Sequence, residues 1–168
     1  SIFDYERLNF LNNHYLKKQE NYEFFEFFIK DNNLLKSFFN KDKKMLIKIF
    51  NIYKENISFY LEIENIAKIY YNDSHERVTS NLFDENFNFN LRKFMIELEK
   101  IYEWNQHNIS VCIKEFLQNN KIKFMKFGKP IRLILTNLEN GPSISDILYI
   151  LDKKNSFTRL NNYIKSIE

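Results

Sequence analysis

Apolar residues recur at three- and four-residue spacing along most of this chain, the pattern of helices that bury one face. Residues 3–18 read as a helix, with Asp4 near its start and Leu8, Leu11 and Tyr15 on one side. The cluster Tyr22, Phe24, Phe25, Phe27, Phe28 and Ile29 is too densely apolar for a surface helix and predicts a short buried one, broken at Asn32-Asn33. Helices over 34–39, 42–54 and 57–71 follow, the second carrying Leu46, Ile49, Phe50 and Tyr53, the third Phe59, Ile63, Ile66 and Tyr70. From Asn72 to Asn90 the pattern loosens, with turn-forming residues and no sustained period. It resumes with Leu91, Phe94, Met95, Leu98 and Tyr102 facing inward and Trp104 closing that helix. Asn105 then reads as an N-cap, ahead of Ile109, Cys112, Ile113, Phe116 and Leu117. No strand-like alternation is sustained. The expected fold is all-α, in two small helical subdomains, residues 1–80 and 81–168.

Both glycines and both prolines lie between Lys126 and Leu160, as Gly128, Pro130, Gly141 and Pro142. Pro130 predicts a helix start at its first turn, following a basic loop, because the missing N–H costs nothing there. Ile131, Ile134, Leu135 and Leu138 give that helix its apolar stripe. Gly141-Pro142 breaks the chain, and Ser143 with Asp146 forms a capping box ahead of Ile144, Ile147, Leu148 and Leu151. A last helix carries Phe157, Leu160, Ile164 and Ile167. The reading is a tight three-helix unit with a sharp corner.

Composition changes this picture little. With 168 residues, 44% hydrophobic and 28% charged, the chain suits a globular fold. No run approaches the roughly 20 apolar residues that span a bilayer, and no signal peptide is expected from SIFDYERLNF. The lone Cys112 suits a reducing compartment and a core position. Asn, Lys, Ile and Phe are abundant, as an A+T-rich genome would make them, so their number says little about function.

Charge is more informative through its placement than its sum. The net value is +3, yet six cations from Lys114 to Arg132 against Glu115 alone put +5 into that segment. Such a stripe is the footprint of a polyanion partner or else a solvated helix face. Arg132 suits RNA because a guanidinium can both pair bidentately and stack, unless a nearby carboxylate ties it up.

Catalytic motifs are missing. Two glycines make no phosphate-cradling loop. His14, His75 and His107 lack partners at helical spacing, so no metal site is expected. Glu62 and Glu64 stand two apart on a helix and face different ways. No catalytic residue is assigned, and the residues read as a helical binding module.

Several segments resemble the C-terminal, anticodon-binding region of bacterial-type glutamyl-tRNA synthetase. FDYERLNFLNNHYL at 3–16 resembles F-D-x-x-K-L-x-W-L-N-x-x-Y-[IL]. KENISFYLEIENIAKIYY at 54–71 resembles Q-E-R-[VI]-K-T-L-x-E-[LI], and Trp104 with Ile109 fits the family's E-W-[ST] helix start. GKPIRLILTNLENGPSISDILYILDKKNSFTRLNNYI resembles Q-P-L-R-V-A-L-T-G-x-x-x-G-P-x-[LI]-x-[ED]-[IV]-L-x-L-L-G-K-E-x-x-x-x-R-L. The likeness covers essentially the whole chain.

The resemblance implies an α-helical cage that grips the tRNA anticodon stem and loop. It implies a parent that ligates glutamate to tRNA with ATP and magnesium, through class I motifs that this chain lacks. The chain itself would need no cofactor. Expected anticodon contacts are Asn56, Lys114, Arg132, Gly141, Pro142 and Ile144; expected phosphate contacts are Lys126, Lys129 and Arg159. The chain would act in the cytoplasm as a monomer, with neither DNA nor membrane as partner. Asn137 and Asp152 replace family glycines; both residue types tolerate left-handed backbone. Asn56 stands where members restricted to glutamate tRNA carry Arg, which predicts recognition relaxed toward glutamine tRNA. The rival reading is a helical protein–protein adaptor with a solvated basic face.

Overall fold

The structure is a computed structural model that describes residues 29, 32–54, 56–57, 60–72 and 83–168. The helix expected at 3–18 and the aromatic cluster, apart from Ile29, lie outside the described residues, as do His14 and His75. The chain falls into two compact units, Ser1–Asn72 and Asp73–Glu168. The described residues form helices without strands.

In the first unit, α1 (Asn33–Lys41), α2 (Lys43–Tyr53) and α3 (Tyr60–Tyr71) pack against one another. Asn32 and Asp42 cap the first two. The Asn32 side chain accepts from the Leu34 and Leu35 amides, and Asp42 from that of Met45. Leu46, Ile49, Phe50, Ile63 and Tyr70 are buried, as their spacing predicts. The Tyr53 and Tyr70 hydroxyls meet at 2.8 Å, so two buried polar tips satisfy each other.

The second unit holds α4 (Glu85–Glu99), α5 (Gln106–Asn119), α6 (Phe124–Thr136) and α7 (Ile144–Ser166). Helix α4 begins well inside the stretch that looked irregular. Asp84 caps it by accepting from the Phe87 amide at 2.7 Å, and Phe87 is buried among Phe83, Phe127 and Tyr163. The core beneath is aromatic: Phe94, Phe116 and Phe127, from three different helices, lie with ring centroids 5.1–5.4 Å apart. Tyr102 does not join it. Helix α4 ends at Glu99, and Tyr102 is 98% exposed in the connection that follows. That connection is pinned to α7, where Lys153 donates to the Glu99 and Ile101 carbonyls and Trp104 Nε1 donates to the Leu148 carbonyl.

Helix α6 starts earlier than Pro130 suggests. It runs from Phe124, with Pro130 in its interior and Gly128 buried within it. Phe127, Ile131, Ile134 and Leu135 make one buried stripe, and burying Phe127 carries the helix through the segment expected to be a basic loop. Pro130 has no N–H to offer the carbonyl of Lys126, so the helix runs on through one missing bond.

Two non-glycine residues turn the backbone at positions where the resemblance implies glycine. Asn137 ends α6 in the left-handed conformation, φ 58° and ψ 21°. Asp152 kinks α7 at φ 61° and ψ 175°, dividing it into the two helices that the apolar spacing implies. Its carboxylate caps the second half by accepting from the Asn155 amide at 2.9 Å.

Candidate nucleic-acid interface

Helices α6 and α7 pack on each other and are joined by residues 137–143, which include the Gly141-Pro142 corner. Gly141 has φ 150°, and a β-carbon there would meet nothing within 4 Å. Backbone angle, not crowding, is what suits glycine at this point. Ser143 then caps α7. Its Oγ accepts from the Asp146 amide at 3.1 Å and donates to the Asp146 carboxylate at 2.6 Å. Gln106 donates to the other oxygen of that carboxylate at 2.6 Å.

Arg132 spans this connection. Its Nη1 donates to the Glu139 carbonyl at 3.1 Å and its Nη2 to the Pro142 carbonyl at 3.2 Å, while Nε is buried without a hydrogen-bond partner. Among the described residues no carboxylate pairs with it. The side chain braces the corner through backbone acceptors, and Lys129 adds a clasp by pairing with the Glu139 carboxylate at 2.9 Å. Arg132, Lys129, Gly141 and Pro142 therefore form one local assembly. Spacing alone could not show that the arginine and the corner beyond it are hydrogen-bonded.

The other expected contacts distribute differently. Lys126 is exposed on α6, and Lys114 is exposed on α5. Ile144 is 3% exposed, so its side chain is core, and any RNA contact there would pass through backbone. Arg159, expected as a phosphate contact, is buried. It is 8% exposed, and its Nη1 donates to the Leu135 carbonyl, one of the last acceptors of α6 that the helix itself leaves unpaired. Asn56 belongs to the first unit, exposed just after α2, with its amide N–H donating to the Tyr53 carbonyl at 2.8 Å.

The side chains weighed for catalysis sit in quiet surroundings. Burial, with help from Glu97 and Glu115, raises the Cys112 thiol from its ordinary 9.0 to about 11, the opposite of what a nucleophile requires. Glu64 pairs with Lys68 at 2.8 Å and accepts from Asn32 at 3.0 Å; those two bonds, the lysine's first, hold its pKa below the ordinary value. His107 is exposed on α5. Among the described residues no group of three or more His, Cys, Asp or Glu side chains could hold a metal ion, and no helix there is long and apolar enough to cross a membrane. The donor set also does not suit ATP. One glycine is buried in mid-helix and the other stands alone at a corner, so no run of backbone amides cradles phosphates.

Among the described residues, then, the helices carry a corner braced by Arg132, with exposed cations on α5 and α6. The family model for the anticodon binding domain matches residues 23–164. The chain belongs to that family. It is 24% identical over 177 residues to a glutamate–tRNA ligase of Mycoplasma genitalium, covering 99% of this chain and 34% of that protein. It is 28% identical over 174 residues to the glutamate–tRNA ligase of Mycoplasma mycoides subsp. mycoides, covering 100% of this chain and 35% of that one. It thus spans about a third of the length of these relatives. Among solved structures, a glutamate tRNA ligase from Elizabethkingia meningosepticum superposes with a TM-score of 0.79 at 19% identity, over 99% of this chain and 33% of that one, so the fold is shared.

Proposed function

We propose that this chain recognises the anticodon arm of tRNA as the non-catalytic, C-terminal part of a glutamate–tRNA ligase. The observation that carries this reading is the family match across residues 23–164, which includes the corner braced by Arg132. Lys114, Lys126 and Lys129 bring positive charge to the RNA backbone, and counterion release drives their contribution. The corner adds shape. Gly141 exposes backbone, and a fixed Pro142 edge gives an unstacked anticodon base something to lie against. Activation of glutamate with ATP and magnesium belongs to the part of the relatives that this chain does not span. We place the protein in the cytoplasm, as a monomer.

Selectivity is a separate proposal. Asn56 supplies an uncharged amide where an arginine would favour one anticodon, so we infer recognition that extends to glutamine tRNA. The decisive comparison is the affinity of the chain for transcripts of glutamate tRNA, glutamine tRNA and glutamate tRNA with an altered anticodon. Steep loss with salt and clear loss on changing the anticodon are expected. Equal affinity for the altered transcript would overturn the reading, and binding without salt dependence would favour a protein adaptor. In the ligase carrying this chain, Asn56→Arg should shift the charging ratio toward glutamate tRNA; an unchanged ratio removes the selectivity proposal.

A further inference from the structure

The first turns of α6 carry an arrangement that the anticodon corner does not use. Phe124 is 49% exposed and Met125 is 80% exposed, side by side at the start of the helix. Lys121, Lys123 and Lys126 lie close by in sequence, exposed, and their side chains have no hydrogen bond or ion pair among the described residues. The Phe124 ring is also specifically placed. A β-carbon added to Gly128 would lie 2.8 Å from Phe124 Cζ and 3.0–3.1 Å from both Cε atoms. The ring therefore lies flat against the helix backbone one turn on, in space that only a glycine leaves open. One ring face lies over its own helix, and the side chain is half exposed.

Resting on the anticodon-arm reading, the geometry points to a second RNA contact, in which Phe124 stacks an unpaired nucleotide while Lys121, Lys123 and Lys126 hold its flanking phosphates. The charge selects the occupant. Lysines are depleted from the cores of protein interfaces, so an exposed aromatic ring with lysines close by in sequence suits a ligand that brings both a π-face and negative charge. The site is also continuous with the corner. Met125, Lys129 and Arg132 follow at four- and three-residue spacing along one face of α6, and Phe124, next to Met125, stands roughly 12 Å along the axis from Arg132. A single strand could occupy both. Stacking of this kind tolerates any base, so the platform contributes affinity and leaves anticodon choice to the corner.

The test is tRNA binding by the full chain across a salt series, with thermal melting run in parallel. Phe124→Ala should weaken binding by roughly five- to a hundred-fold, the range for loss of one base–aromatic stack, with anticodon discrimination and salt slope unchanged. Phe124→Tyr should restore it. Changing Lys121, Lys123 and Lys126 together to Gln should lower the salt slope by about two, at about 0.7 per phosphate on a single strand. Gly128→Ala should displace the ring and weaken binding while melting as high as the parent. If the unaltered chain binds tRNA and Phe124→Ala matches it within twofold, the platform is wrong and the anticodon reading stands. If Gly128→Ala binds like the parent, the flat ring does not matter and the inference falls. If the unaltered chain shows no tRNA binding, the anticodon reading fails and takes the platform with it.

Discussion

Arg132 holds Pro142 by its backbone, with Nη2 donating to the Pro142 carbonyl at 3.2 Å across ten residues of chain. With Nη1 on Glu139 as well, the guanidinium closes residues 137–143 into a tied loop. Removing it should therefore alter the corner's shape as well as its charge. Arg132→Ala is expected to lose about 1–2 kcal/mol, the low end for two charge-assisted bonds in a half-exposed setting. Arg132→Lys keeps the charge but cannot reach both carbonyls with a fixed fork. It should keep the salt slope of tRNA binding while losing anticodon discrimination. Hydrogen exchange on the amides of residues 137–143 should quicken in both variants.

Arg159 is predicted to matter for folding and not for RNA contact. Its head is buried against the Leu135 carbonyl, so Arg159→Ala leaves that acceptor unsatisfied and opens a cavity. A loss of about 2–4 kcal/mol is expected, read as an earlier denaturation midpoint. A variant that melts like the parent but binds tRNA more weakly would restore the phosphate-contact role.

Asp152 sits at φ 61° and ψ 175°, in a region that glycine occupies almost alone. Asp152→Gly should raise stability by about 1 kcal/mol, since relief of strain exceeds the few tenths lost when Gly replaces an N-cap. Asp152→Ala keeps the β-carbon and loses the bond to the Asn155 amide, so it should cost about 1–2 kcal/mol. Asn137→Gly should stabilise by a smaller amount, because Asn already tolerates the left-handed cap. Denaturant midpoints on the three variants give the order.

Cys112 should be a slow thiol. Its pKa stands near 11 instead of 9.0, so at pH 8 alkylation should lag an unfolded control and accelerate only as pH approaches 11. A folded pKa above the unfolded one favours the native state at low pH. That contribution is complete below pH 9 and is lost as pH rises through about 11. Alkylation at pH 8 as fast as in the denatured chain would contradict the burial of this thiol.

How far the sequence reaches can be judged residue by residue. Local rules found the Asn105 and Ser143 caps, the stripes of α2, α5 and α7, and the break after Leu151, because a cap needs a side chain only three residues from the amide it serves. They missed the start of α4, where Asp84 was visible but its worth came from burying Phe87 against α6 and α7. They also misjudged Pro130, because burial of Phe127 outweighs one missing helix bond.

Among the described residues the sequence by itself determined most of the helices, the Asn105 and Ser143 caps, the family resemblance and the basic segment, all of which depend on near neighbours or on residue order. Only the tertiary structure decided what each arginine does. Arg132 and Arg159 are the same residue with the same charge, yet one braces a half-exposed corner and the other is sealed against Leu135. A guanidinium offers five donors to whatever carbonyl the packing brings within reach. Which carbonyls those are depends on how α6 and α7 meet, and no short stretch of sequence contains that.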